Sequence, residues 1–417
     1  MAELRRIALA HQHYGFEGSL DREFVLLAES LVKRDLEIHV YCNPARRTHE
    51  SDGVTFHDVV PHTTPTDGRL RLPLHLIDLA VVMTRALRRD RTAYDLINVS
   101  GLTAWEHDVV TAHSVTRADQ RRWAVAARGT YRAPRARSTF ANVAKPRGMV
   151  VRTLERLQFR PGHYRRVIAR TPQVAEDLVA DHGVPGELID VIHYPATIDP
   201  KTPRDRSALR ELGIGNEPIV LFLGHDFARK GLSEAIGAFS GLDGDAKLVV
   251  VGGGDRNPFV RLARELGVSD RVVFAGPTTS PQRFFAAADV FLHPARRETW
   301  GMPVIEAMLL GVPVIVSESA GVASEVVAAG AGLVVPPGSN DAIRAAVRSV
   351  LANPEHRSEL GRNGRSAARR FLPDEIARET AESFRRAFEA GAALPFGVAE
   401  RHGSQERERV ELPTDDY

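Results

Sequence analysis

The stretch HPARRETWGMPVIEAMLLGVPVIVSESAG, residues 293–321, decides how the chain is read. An apolar strand, DVFLHPA (residues 289–295), runs into it. A loop over residues 295–302 carries Glu298 and Gly301. Pro303 suits the first position of a helix, where a missing N–H leaves nothing unpaired. Gly311 suits its end. VPVIVSES then returns as a strand, which makes a βαβ unit of a parallel sheet. Glu298 lies in the loop, and Glu306 falls in the first helical turn, about one turn inside. Two carboxylates so placed are an acid–base pair, two halves of a ligand clamp, or ordinary surface charge that complements the helix dipole.

The same alternation continues outward. PIVLFLG, AKLVVVGGG and RVVFAG read as strands upstream, with KGLSEAIGAFSGL, PFVRLARELGV and PQRFFAAA as helices between them. SNDAIRAAVRSVLANP is a helix downstream. The N-terminal half repeats the scheme. RRIALA is a strand, HQHYGFEGSL a glycine-bearing loop, DREFVLLAESLVKRD an amphipathic helix and LEIHVYC a strand. YDLINVS, HDVVTAHS and RRVIART are later strands, and PQVAEDLVADHG is a helix opened by Pro172 and stopped by Gly183. IHYPATIDPKTPRDRS, rich in proline and charge, joins the halves. The expected fold is α/β, two Rossmann-like doubly wound domains with ligands at the carboxyl ends of their strands. The expected boundaries are 1–195 and 196–372. A helix over 373–392 crosses back to the first domain, and a polar tail over 393–417 is disordered.

A length of 417 residues fits two or three domains, and the formal net charge of +2 does not by itself call for nucleic acid. Cys42 is the only cysteine, so no internal disulfide or cysteine-based metal cluster forms, which fits a reducing, cytoplasmic setting. The apolar stretch near the N-terminus is too short for a signal-peptide core, and no run of about 18 apolar residues offers a spanning helix. Residues 117–170 hold fifteen Lys or Arg against two acids, Asp119 and Glu155, with Trp123, Tyr131, Phe140, Met149 and Phe159 interleaved. The segment reads as a solvated basic face, or as a contact for an anionic acceptor or the inner face of an anionic membrane. No recognised nucleic-acid motif accompanies it.

A helix N-terminus offers free N–H groups and partial positive charge to an anion. An ionised Glu306 accepts hydrogen bonds only, as from the vicinal hydroxyls of a ribose. Glu298-x7-Glu306 in ETWGMPVIEAMLLGVPVIVS resembles the EX7E signature of the family 4 retaining glycosyltransferases, whose fold is GT-B with a cleft between two facing domains. GFEGSLDREFVLLAESLVKRDLEIHVYC resembles the family's glycine loop and first helix, and GHDFARKGLSEAI its Lys-Gly phosphate segment. KLVVVGGG, RVVFAG and GAGLVVPPGSNDAI follow in family order, closest in flavour to the lipopolysaccharide-core glucosyltransferases. The EX7E block is the specific element, and the others support it.

The resemblance implies a donor such as a UDP- or GDP-sugar, a glycan or lipid-linked acceptor, and no cofactor or metal. Glu306 would bind the ribose hydroxyls. Glu298 would bind sugar hydroxyls, with Trp300, Gly301 and Met302 offering N–H groups beside Pro303. Lys230 and Arg229 would hold the leaving diphosphate, Gly15, Gly18 and Gly224 would let backbone approach it, and His113 would lie near the donor sugar. Two departures stand out: Glu17 precedes Gly18 where many relatives have a second glycine, and His225 follows Gly224 where many have arginine. Asp243-x-Asp245 has the spacing of metal-binding transferases but falls in a surface turn away from the cleft mouth, and is rejected as a metal site. Rival readings are a sugar phosphorylase, a nucleotide-sugar epimerase and a non-catalytic nucleotide-sugar-binding relative. A Rossmann dehydrogenase lacks its fingerprint, since GGG at 252–254 is not G-x-G-x-x-G.

Overall fold

The computed structural model describes residues 3–16, 19–63, 71–126 and 146–393. Glu17, Gly18, the middle of the basic segment and the tail beyond 393 lie outside them.

The N-terminal half runs β1 (Arg6–Ala10), α1 (Ser19–Val32), β2 (Glu37–Cys42), β3 (Val54–Asp58), α2 (Arg71–Arg89), β4 (Leu96–Ser100), β5 (Val109–Ala112), α3 (Thr116–Ala126), α4 (Pro146–Gln158), β6 (Arg166–Ala169), α5 (Pro172–His182) and β7 (Ile189–Val191). Its seven strands pair in parallel in the order β3-β2-β1-β4-β5-β6-β7. The C-terminal half runs α6 (Ser207–Arg210), β8 (Ile219–Leu223), α7 (Leu232–Phe239), β9 (Lys247–Val251), α8 (Asn257–Glu265), β10 (Val272–Gly276), α9 (Gln282–Ala287), β11 (Val290–His293), α10 (Met302–Leu309), β12 (Val314–Ser317), α11 (Ala323–Ala329), β13 (Gly332–Val335), α12 (Asn340–Ala352), α13 (Pro354–Ala368) and α14 (Pro373–Ala393). Its sheet is also parallel, ordered β10-β9-β8-β11-β12-β13.

Both orders are doubly wound. Strand order reverses between β1 and β4 in one sheet and between β8 and β11 in the other, and a crevice opens beyond the strand ends at each reversal. The central strands are apolar throughout, as in IVLFL, because helices cover both faces of the sheet. The elements that the sequence reading passed over are short or amphipathic. β3 is a half-exposed edge strand, β7 has three residues, and α11, β13 and α13 follow one another closely. The helix after Gly231 starts at Leu232, and α10 starts at Met302 with Pro303 second. Glu306 is therefore the fifth residue of α10 and opens its second turn; the expected first-turn position is corrected, because Gly301 at φ 115° turns the chain a residue early.

The chain crosses between the halves twice. On the first crossing, the Ala196 N–H donates to the Phe371 carbonyl of the second at 2.7 Å. Beyond it, α14 packs on α1. Ile376, Ala377, Phe384 and Ala387 join the core of the first half with Phe24, Leu31 and Ile38. Ser383 donates to Asp190 at 2.6 Å, and Arg386 to the same carboxylate at 2.9 Å. The basic segment is less charged than its own residues suggest. Arg121 pairs with Asp181, Arg122 with Asp177, Arg165 with Asp108, Arg166 with Asp190 and Arg170 with Glu23, all acids outside it.

Phe384 is fully buried, so Phe384→Ala is expected to lower the unfolding free energy by about 3–5 kcal/mol, read by denaturant titration. Burial also predicts a pH response. It holds His11 and His193 down to about 4 and His107 to about 3. Between those values and 6.5 the unfolded chain binds protons there that the folded chain does not, so stability rises with pH. Glu23, pushed up by burial to about 7, acts in the opposite sense above 4.5. The histidines outnumber it, and the melting temperature should fall as the buffer is taken from pH 7 to pH 5; an unchanged value would contradict this account.

Candidate functional site

The reversal between β8 and β11 puts the two strand ends side by side. β8 leads through Gly224 and His225 to Arg229 and Lys230, and β11 ends at His293 and leads to Glu298. Lys230 Nζ donates to Glu298 Oε2, Arg229 Nη1 lies 3.2 Å from the same oxygen, and His293 Nε2 lies 3.6 Å from it. The Glu298 side chain is 14% exposed and that of Lys230 is 10% exposed. Burial pushes the Glu298 carboxyl up, but Lys230, His293 and Arg229 together outweigh it and hold the group well below the usual carboxylate range. Burial pulls Lys230 down while Glu298 opposes, and the contact is an ion pair at neutral pH. His293 is lowered by burial and then by Lys230, and is neutral.

Backbone contacts fix this arrangement. Gly231 has φ 80°, and a Cβ there would lie 2.1 Å from the Pro294 carbonyl oxygen, so only glycine lets the two loops meet. Arg296 N–H donates to the Arg229 carbonyl at 3.0 Å, and Arg296 Nε donates to the buried Glu234 at 2.6 Å. Glu298 N–H donates to Ser319 O at 3.3 Å, and Gly321 N–H donates to Glu298 O at 3.2 Å. Gly224 lies beneath the Lys230 stem, where a Cβ would come within 3.0 Å of its Cγ.

Gly301, Met302 and Pro303 form the start of α10. Glu306, 7% exposed, accepts from Thr197 Oγ at 2.6 Å. Burial raises its pKa, and Thr197 and the charge of Arg22 pull the other way. Trp300 is buried, its indole stacked on His193 with ring centroids 4.1 Å apart and planes at 15°. It packs on the crossover, and its Nε1 has no partner among the described residues.

The first half contributes His113, directly after β5. Its Nε2 meets Ser100 Oγ at 2.9 Å and its ring stacks on Tyr194. Burial first, then Arg170 and His11, push it well below its usual value, so it is neutral. Gly15 faces its own half, where a Cβ would overlap Thr48 Oγ. Gly18 lies outside the described residues. Asp243 is on the surface beside Arg348, at 3.2 Å.

The structure thus gathers Lys230, Arg229, Glu298 and Gly224 into one cluster, with Glu306 on the helix that follows. It also adds residues that the sequence reading missed. His293 was findable as the last residue of the strand at the reversal. Thr197 in the crossover had no local signal. Nor did the half-buried contact of Arg297 with Asp119 on α3, which ties the loop before Glu298 to the first half.

Residues 206–367 match the family model described as glycosyl transferases group 1. The chain is 32% identical over 226 residues to the D-inositol 3-phosphate glycosyltransferase of Xylanimonas cellulosilytica, covering 51% of this chain and 54% of that one. The chain therefore spans about half the length of that relative. It is 27% identical over 433 residues to the enzyme of the same name from Segniliparus rotundus, covering 94% and 92%. Among solved structures, WaaG, a glycosyltransferase involved in lipopolysaccharide biosynthesis, matches with a TM-score of 0.67 at 21% identity, over 94% of this chain and all of that one. Anabaena Alr3699/HepE in complex with UDP-glucose matches with 0.63 at 19%, over 91% and 99%. The match to glycosyl transferases group 1 thus lies over residues 206–367, within a chain that has the two-sheet GT-B fold.

Proposed function

We propose that this protein is a retaining, metal-independent glycosyltransferase that moves a sugar from a nucleoside diphosphate sugar to an acceptor hydroxyl. The observation that carries the reading is the Glu298–Lys230–Arg229 cluster at the strand-order reversal, inside the segment that matches the family. Group 1 relatives that are named glycosyltransferases, and a like-folded protein solved with UDP-glucose, support it.

Each role follows from the chemistry of the group. Glu306 accepts from the ribose diol of the donor. Lys230 and Arg229 receive the diphosphate, exchanging part of their contact with Glu298 for contact with phosphate oxygens. Glu298, released from one cation, accepts from hydroxyls of the sugar, and the N–H groups of Trp300, Gly301 and Met302 lie beside it. Neutral His113 has a buried Nδ1 without a partner among the described residues and offers it to the donor sugar. The bond from the sugar's anomeric carbon to the phosphate oxygen breaks, and its electron pair leaves with the diphosphate. The acceptor oxygen attacks on the same face, and its proton passes to a donor phosphate oxygen. Fixed cations stabilise the charge that builds on the leaving group without a metal.

The acceptor reading is an anionic or lipid-linked molecule bound by the first half. The relatives' name includes a phosphorylated inositol, and residues 117–170 supply cations. Arg117 belongs to this segment, and among the described residues no carboxylate ion-pairs with it. The location proposed with it is cytoplasmic, with peripheral contact at the inner membrane face. No helix among the described residues is long and apolar enough to cross a membrane.

Glu306→Ala and Lys230→Ala are each expected to lower transfer at least about a hundredfold while the melting temperature stays within a few degrees. Arg229 still neutralises Glu298 in the lysine variant. Full activity of both variants, with a nucleotide-sugar panel as donors, would sink the assignment. Sedimentation with anionic vesicles at low salt, lost at high salt, is the result expected of the basic segment; none at low salt removes the membrane contact.

A further inference from the structure

Three consecutive residues near the start of α1 carry charge, and the structure uses only two of them for packing. Asp21 meets His13 Nδ1 at 3.2 Å. Glu23 is buried against Arg170. Arg22, between them, has no carboxylate partner among the described residues. Its Nη2 donates to the Phe16 carbonyl at 3.3 Å, and its guanidinium carbon lies 6.0 Å from the centre of the Phe16 ring. The group is thereby folded back over the loop that holds Gly15, at the carboxyl end of β1. That end lies beside the strand-order reversal of the first sheet, where a ligand is expected. An arginine has five N–H donors in a rigid fork, and among the described residues Arg22 uses one of them on the Phe16 carbonyl.

Two observations on the opposite side of the cleft give this cation a purpose. Burial raises the Glu306 carboxyl of the second half and Thr197 opposes it, and the one charged side chain that also opposes it is Arg22. The position after Gly224 is His225, whose Nδ1 is taken up as acceptor for the Gly253 N–H at 3.4 Å. The second half therefore meets a diphosphate with Lys230 and Arg229, both already engaged by Glu298.

We propose that Arg22 is the first half's binding residue for the nucleoside diphosphate, closing on the phosphate next to the ribose that Glu306 holds. The inference rests on the donor reading of the second half. It gives α1 a cation for the diphosphate, and it makes diphosphate binding a contact shared by the two halves.

Calorimetric titration of the full chain with UDP, GDP and the matching nucleosides tests this, using Arg22→Gln, Arg22→Lys and, as a reference, Lys230→Ala. Arg22→Gln is expected to weaken the better diphosphate roughly tenfold, to leave the nucleoside unchanged and to reduce the salt dependence of binding. Arg22→Lys should keep part of the affinity. If Arg22→Gln binds the diphosphate as the wild type does while Lys230→Ala loses it, the donor site stands and this role for Arg22 falls. Equal losses for diphosphate and nucleoside mark a structural disturbance and also overturn it. If the wild type binds neither diphosphate, the donor reading and this inference fall together.

Discussion

Glu298 is a largely buried carboxylate that exists in ionised form because two cations and an imidazole converge on it. Neither side of that contact is stable alone. A desolvated carboxylate without a cation would take up a proton, and a buried lysine without a carboxylate would lose one. The contact needs two loops from strands far apart in sequence to lie within hydrogen-bond reach. The reversal of strand order between β8 and β11 supplies that proximity. Gly231 against the Pro294 carbonyl and the backbone bonds from 298 to 321 make it rigid.

The two halves are connected through the same region. Thr197 in the first crossover holds Glu306, His193 stacks on Trp300, and Arg297 reaches Asp119 on α3. Each contact joins the segment from Arg297 to Glu306 to the crossover or to the first half. A change in how the halves sit would therefore be felt within a residue or two of Glu298 or Glu306. α14 adds a second tether by burying Phe384 and Ile376 in the first core.

The alternating apolar runs were legible as a doubly wound fold because strands buried on both faces must be apolar along their whole length. Edge strand β3 was not, since half of VTFHD faces solvent and no run forms. The basic segment misled in one respect. Counting the acids within it gives a strong field, yet Asp177, Asp181, Asp190, Asp108 and Glu23 come from elsewhere to neutralise five of its arginines. Charge balance is a property of neighbours in space, and local sequence does not report it.

By itself the sequence determined the strand–helix alternation, the glycine and proline positions that start and stop α10, and the placing of Glu298 and Glu306 on a loop and on the helix after it. These depend on local backbone preferences and on side-chain periodicity. Only the tertiary structure decided what Glu298 touches, that Thr197 caps the Glu306 carboxylate, that Trp300 is taken up by the crossover, and that Arg22 lies over the glycine loop with no carboxylate partner among the described residues. The reason is that each of these contacts spans a sheet reversal or the gap between halves, where partners are chosen by chain topology and desolvation.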